Sequence, residues 1–144
     1  MKLTKIETSP PIRIDTTVGT RVFAGDQIIH GDTGWRDISG EVLAPTEPGT
    51  RVFIRRTGAH VYLSADILRF SGTVPAASEF LAIPDGFRAI KTFRTSGAYE
   101  AGAVYSQRGG SALCFRSSAT GSARFYVSYL TDNPWPISLP GSPA

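Results

Sequence analysis

Arg51-Val52-Phe53-Ile54-Arg55-Arg56-Thr57-Gly58-Ala59-His60-Val61-Tyr62-Leu63-Ser64-Ala65-Asp66-Ile67-Leu68-Arg69-Phe70 is the stretch that decides the fold. In its second half Val61, Leu63, Ala65 and Ile67 share one parity, while His60, Tyr62, Ser64 and Asp66 share the other. A strand turns successive side chains to opposite faces, so this is the pattern of an antiparallel strand with one face buried. Thr57-Gly58-Ala59 interrupts the two apolar runs and makes a hairpin the simplest connection. Further strands are expected at 79–83, 87–94, 101–107, 111–117 and 123–131. In the last of these Phe125, Val127 and Tyr129 alternate with Tyr126, Ser128 and Leu130. Both parities are largely apolar there, which predicts cover on both sides, one of them supplied by another subunit.

Composition agrees with short strands. The 144 residues include 15 Gly and 10 Pro, a turn signal about every six residues, which leaves no room for long helices. Hydrophobic residues at 41% against 19% charged indicate a chain that folds around a core. The expected class is all-β, an antiparallel β-sandwich or jelly-roll-like head. The formal charge is +3, carried by twelve Arg and three Lys with acids interspersed, and the longest basic run is Arg55-Arg56. A nucleic-acid binder concentrates its cations on one element, so this charge reads as solubility and loop pairing, with no nucleic-acid partner. The lone Cys114 excludes an intrachain disulfide and a cysteine-based zinc site, and its apolar surroundings read as a small buried hydrophobe. Met1-Lys2-Leu3-Thr4-Lys5 is followed by no apolar signal region, and no stretch has transmembrane length. The expectation is synthesis in a cytoplasm with no membrane partner.

Three regions follow from the pattern. Residues 1–39 read as an extended N-terminal arm: Pro10-Pro11 precedes the alternating Ile12-Arg13-Ile14-Asp15, and short apolar pieces follow around Phe23 and Ile28-Ile29. The arm has too few large apolar residues for a core of its own and must lie on the rest of the chain, a neighbour or a docking partner. Residues 40–131 form the head. Residues 132–144 carry four prolines and read as a tail.

Several pieces together resemble the small heads of receptor-binding proteins and tail fibres in phages of Gram-positive bacteria. Gly34-Trp35 resembles the entry to such heads, Arg56-Thr57-Gly58 with Val61-Tyr62-Leu63 their strand pair, and Ile83-Pro84-Asp85-Gly86-Phe87-Arg88 their turn. Ala89 stands where that turn usually has proline. Asp132-Asn133-Pro134-Trp135-Pro136 and Leu139-Pro140-Gly141 are similar to the ends of minor tail proteins from actinobacterial phages, and the Arg-over-Lys bias agrees with a GC-rich host. The resemblance covers about residues 34–144. It implies a homotrimer of compact β heads that binds host cell-wall saccharide within the virion, alongside other virion proteins of the tail. The departure is at the front, where a short arm stands in place of a fibre shaft. That arm supports an alternative, a capsid decoration protein clamped onto the major capsid protein.

The residues themselves point away from catalysis. The chain has two histidines, His30 and His60, and no Gly-x-Ser-x-Gly elbow. Asp66, Glu79, Asp85 and Glu100 are not paired as a glycosidase requires. Asp26, His30 and Asp32 are separated by turns and suggest no metal; no cofactor is expected. Sugar binding asks only for an aromatic platform beside polar groups. Tyr99 and Glu100, and Tyr105 with Gln107 and Arg108, offer that at loop ends. Ile12, Ile14, Trp35 and Trp135 are the expected assembly and docking residues. Trp35 reads as a core or arm anchor, and Trp135, flanked by prolines, as a plug for a pocket on a neighbour.

Overall fold

The computed structural model describes residues 10–98, 102–107 and 109–144. The strands are β1 (Ile12–Asp15), β2 (Thr20–Ala24), β3 (Gln27–Asp32), β4 (Arg36–Asp37), β5 (Arg51–Thr57), β6 (His60–Arg69), β7 (Glu79–Ala82), β8 (Arg94–Ala98), β9 (Gly102–Ser106), β10 (Ala112–Phe115), β11 (Ser122–Leu130) and β12 (Ser142–Pro143). One 3₁₀ turn, Ser39–Glu41, is the helical element among the described residues. Every ladder is antiparallel.

The first sheet has eight strands and is built on the expected hairpin. Residues 51–57 of β5 pair with 60–67 of β6, and β6 pairs with β11. The other side of β5 is shared by β3, through Asp32 and Thr57, and by β4, through Arg36–Ile54 and Asp37–Phe53. Beyond β3 lie β2 and then β1, and beyond β4 lies β12. The second sheet runs β7-β10-β9-β8. The two sheets enclose one core, as in a β-sandwich: Val52, Ile54, Val61, Leu63, Phe125 and Val127 from the first meet Phe80, Val104, Leu113 and Phe115 from the second. At the centre Phe80 and Phe115 stack at 3.9 Å, with Phe70 and Phe125 edge-on to the pair.

Three expectations are altered by the tertiary structure. Residues 10–39 hold β1–β4, which extend the first sheet. Only Phe23 among the large apolar residues of β1–β3 is buried there, so these three strands extend the sheet without adding to the core, which Ile38 after β4 joins. Residues 87–93, expected to begin a strand over 87–94, do not form one. Their backbone donors go to scattered acceptors, Arg88 to Asn133 Oδ1, Ile90 to the Leu130 carbonyl and Phe93 to Ser106 Oγ, so no ladder forms. Arg56 is not a solubility charge; it is 7% exposed on the inward parity of β5. The turn before this segment follows its chemistry. The Phe87 N–H donates to the Pro84 carbonyl, Gly86 has φ +85°, and Phe87 is fully buried.

β11 departs from its expected two-sided cover in this chain. Phe125, Val127 and Tyr129 are buried, whereas Tyr126 and Leu130 are exposed. Tyr129 stacks on Phe93 at 4.7 Å, and its buried hydroxyl has no hydrogen-bond partner among the described residues. Burial pushes its phenol pKa far up. A raised folded-state pKa means the folded chain keeps a proton that the unfolded chain releases, so stability present below about pH 10 is lost as the pH rises. Tyr129→Phe removes the stranded hydroxyl and is expected to stabilise the fold by about 1 kcal/mol at neutral pH. Urea unfolding at pH 7 and about pH 11 checks this, because the gain should widen at the higher pH.

Candidate binding groove

The outward parity of the first sheet carries a cleft lined by aromatic rings. Register places Asp37, Phe53, Ser64 and Tyr126 in one row across β4, β5, β6 and β11. Ser64 is small, so the rings of Phe53 and Tyr126 on either side leave a trough between them. Trp35, just before β4, and Ala144 close one side. The cleft has a volume of about 340 Å³ and is lined by Trp35, Phe53, Ser64, Tyr126 and Ala144. That size lies at the lower end of small-molecule sites, roughly 300–1,000 Å³.

The wall at Trp35 is set by the C-terminal segment. Ala144 N–H donates to the Trp35 carbonyl at 3.2 Å, and β12 pairs with β4. Arg36 fixes the approach by donating to the carbonyls of Pro140 (2.9 Å) and Gly141 (3.0 Å). Gly141 has φ +54°, and a Cβ there would fall 1.7 Å from the Asp37 carbonyl oxygen, so the contact admits only glycine.

Polar groups flank the aromatic row along the same parity. Arg51 and Arg55 bracket Phe53 on β5, Tyr62 and Asp66 bracket Ser64 on β6, and Arg124 and Ser128 bracket Tyr126 on β11. Arg124 Nε donates to the Asp66 carbonyl at 2.8 Å. Arg55 is anchored by Asp32 on β3 through Nε–Oδ1 at 3.0 Å and Nη2–Oδ2 at 2.5 Å. The hydrogen bonds from Arg55, joined by the Gly34 N–H, hold the Asp32 carboxyl below its ordinary range. Such a trough can take a flat ring between aromatic faces and offer hydroxyl, carboxylate and guanidinium groups to its rim.

The expected site residues are distributed differently. Tyr99, Glu100 and Arg108 lie outside the described residues. Tyr105 and Gln107 converge on Cys114 of β10. Gln107 Nε2 donates to Cys114 Sγ at 3.0 Å, and burial followed by the neighbouring thiol push the Tyr105 phenol upward. Trp35 lines the groove. Ile12 and Ile14 are 63% and 66% exposed on β1. Trp135 fills a pocket in its own chain: its indole N–H donates to the Val18 carbonyl at 2.9 Å and its ring covers Gly31. A Cβ on Gly31 would sit 2.5 Å from that ring, so the glycine is what admits the indole. Ser64 is legible in the sequence as a residue of the polar parity, but nothing in one strand tells which residues of three strands share a row.

Among the described residues no group of three or more His, Cys, Asp or Glu side chains can hold a metal ion. No protein-family model, curated protein or solved structure matches this chain. What the chain's own fold defines is therefore the class alone, an antiparallel two-sheet β protein with an aromatic trough on one open face.

Proposed function

We propose that this protein is a non-enzymatic phage virion protein, a trimeric tail-tip head that holds host cell-surface saccharide in the Trp35–Phe53–Tyr126 groove. The observation that carries the reading is the aromatic trough over Ser64, lined by Trp35, Phe53 and Tyr126, with Ser128 and Arg124 flanking Tyr126 on β11. Sugar rings present apolar C–H faces to aromatic rings and hydroxyls to the rim, so the trough supplies both halves of recognition. The head-like order of motifs from Gly34 onward supports the same reading.

Pull-down of the purified protein with host cell walls, followed by glycan-array binding, tests it. Trp35→Ala and Tyr126→Ala should each weaken binding about tenfold, the equivalent of one lost stacking contact near 1.4 kcal/mol. Tyr126 is 56% exposed, so Tyr126→Ala should leave the unfolding midpoint nearly unchanged. Wild-type protein that retains no wall saccharide from any susceptible host overturns the proposal.

The exposed isoleucines of β1 and β3 favour a second reading, a capsid decoration protein clamped onto the major capsid protein by its N-terminal strands. Immunogold labelling of particles separates the two, because label over the shell means decoration and label at the tail tip means receptor binding.

A further inference from the structure

We propose that Arg36, which does not itself line the groove, is a positioning residue for it: Arg36 clamps residues 140–144 alongside β4, so that Ala144 holds the Trp35 ring in place for the saccharide. This role rests on the saccharide-binding reading above and names a residue on which that same site depends.

Parity keeps Arg36 away from the ligand. Arg36 pairs with Ile54, whose side chain is fully buried, whereas Asp37 pairs with Phe53 in the groove row. Successive side chains of a strand leave the backbone on opposite faces, so Arg36 lies on the parity opposite the groove and Trp35 on the groove parity. The same alternation runs along β12. Pro143 pairs with Arg36, which leaves Ala144 beside Trp35, and both line the cleft.

Little else secures that wall. Residues 141–144 are all exposed, so burial of apolar surface does not hold them. Their ladder with β4 is two residues long, and one of the two, Pro143, has no N–H to give it. The Asp37 carboxylate is occupied at its own turn, where Oδ1 accepts from the Ser39 N–H at 2.9 Å and from the Ser39 hydroxyl at 2.6 Å. Arg36 supplies what the ladder lacks, a planar fork with Nε on the Pro140 carbonyl and Nη2 on the Gly141 carbonyl. Trp135 has its indole N–H tethered to the Val18 carbonyl; the Trp35 indole has no such tether among the described residues, so its setting follows from its neighbours.

Calorimetric titration of the full chain tests this, with soluble wall polysaccharide from a host whose walls retain the wild-type protein. Arg36→Ala removes the fork. Gly141→Ala keeps the guanidinium and breaks the same contact, because the added Cβ would meet the Asp37 carbonyl oxygen. Each is expected to weaken binding about tenfold, as Trp35→Ala does, and to speed exchange of the Ala144 amide by about tenfold or more. Residues that act through one another do not add, so Arg36→Ala in a Trp35→Ala background should change the affinity by less than about twofold. Binding at wild-type strength in either single variant overturns the positioning role and leaves the groove standing. Losses that multiply to about a hundredfold in the double variant overturn it as well, since Arg36 then acts on the ligand by itself. Should Arg36→Ala not fold, Gly141→Ala, alone and with Trp35→Ala, decides. Wild-type protein retained by no host wall overturns the saccharide reading and this role together.

Discussion

Arg56→Met is expected to destabilise the protein by about 3–5 kcal/mol, a large fraction of the stability of a single domain. The guanidinium is buried and bonds no carboxylate; it is held by main-chain carbonyls. Nε donates to Gly58 (2.8 Å), Nη1 to Gly86 (2.5 Å) and Pro134 (3.0 Å), and Nη2 to Asn133 (2.9 Å). It also lies 5.2 Å from the Trp135 ring. One side chain thus ties the β5–β6 turn, the Pro84–Phe87 turn and the segment after β11 into one end of the sandwich. Methionine keeps much of the volume and removes every donor, leaving carbonyls short of partners. Arg56→Lys should rescue little, because an ammonium offers three donors from one point where a planar fork reaches three directions. Thermal unfolding checks this: a drop of roughly 10 °C is expected for a chain of this size, and a midpoint within a degree or two of wild type would refute it.

Phe115→Ala should have an effect of the same order, about 3–5 kcal/mol, through a different cause. Phe115 is fully buried, stacked on Phe80 at 3.9 Å and edge-on to Phe70 at 5.7 Å. Truncation forfeits the buried apolar area and leaves a cavity that the two sheets cannot close, since both are held by their ladders. Phe115→Leu, which refills most of that space, should recover more than half of the loss in urea unfolding. If alanine costs less than about 1 kcal/mol, the ring cluster is not the centre of the core.

The two substitutions show where the sequence speaks plainly and where it is silent. Phe115 lies in an apolar run that any reading buries. Arg56 was read with Arg55 as a surface pair, yet its position already held the signal: it shares parity with Val52 and Ile54. A charge on an inward parity is ambiguous because burial depends on acceptors contributed by residues 30 to 78 positions away. The segment at 87–93 failed for a related reason. Alternation tells which side chains point inward, but a strand also needs a neighbour with a continuous edge, and here Leu130, Ser106 and Asn133 supply one acceptor each. Trp135, set between Pro134 and Pro136 in the tail, reads as an indole in need of a pocket on a neighbour. Gly31, a bare spot on β3 over a hundred residues earlier, gives its ring a place in the same chain.

By itself the sequence determined the all-β antiparallel class, the hairpin of β5 and β6, the inward face of β6 from Val61 to Ala65, and the turn at Pro84–Phe87. All of these arise from local chemistry, the period of two and the backbone preferences of Pro and Gly, which act over a few residues. Only the tertiary structure decided that Phe53, Ser64 and Tyr126 share a row, that Arg56 is a buried clamp and that Trp135 seats over Gly31 of its own chain. Each of those depends on register and on which strands become neighbours, and both are settled when distant segments bury their apolar faces together.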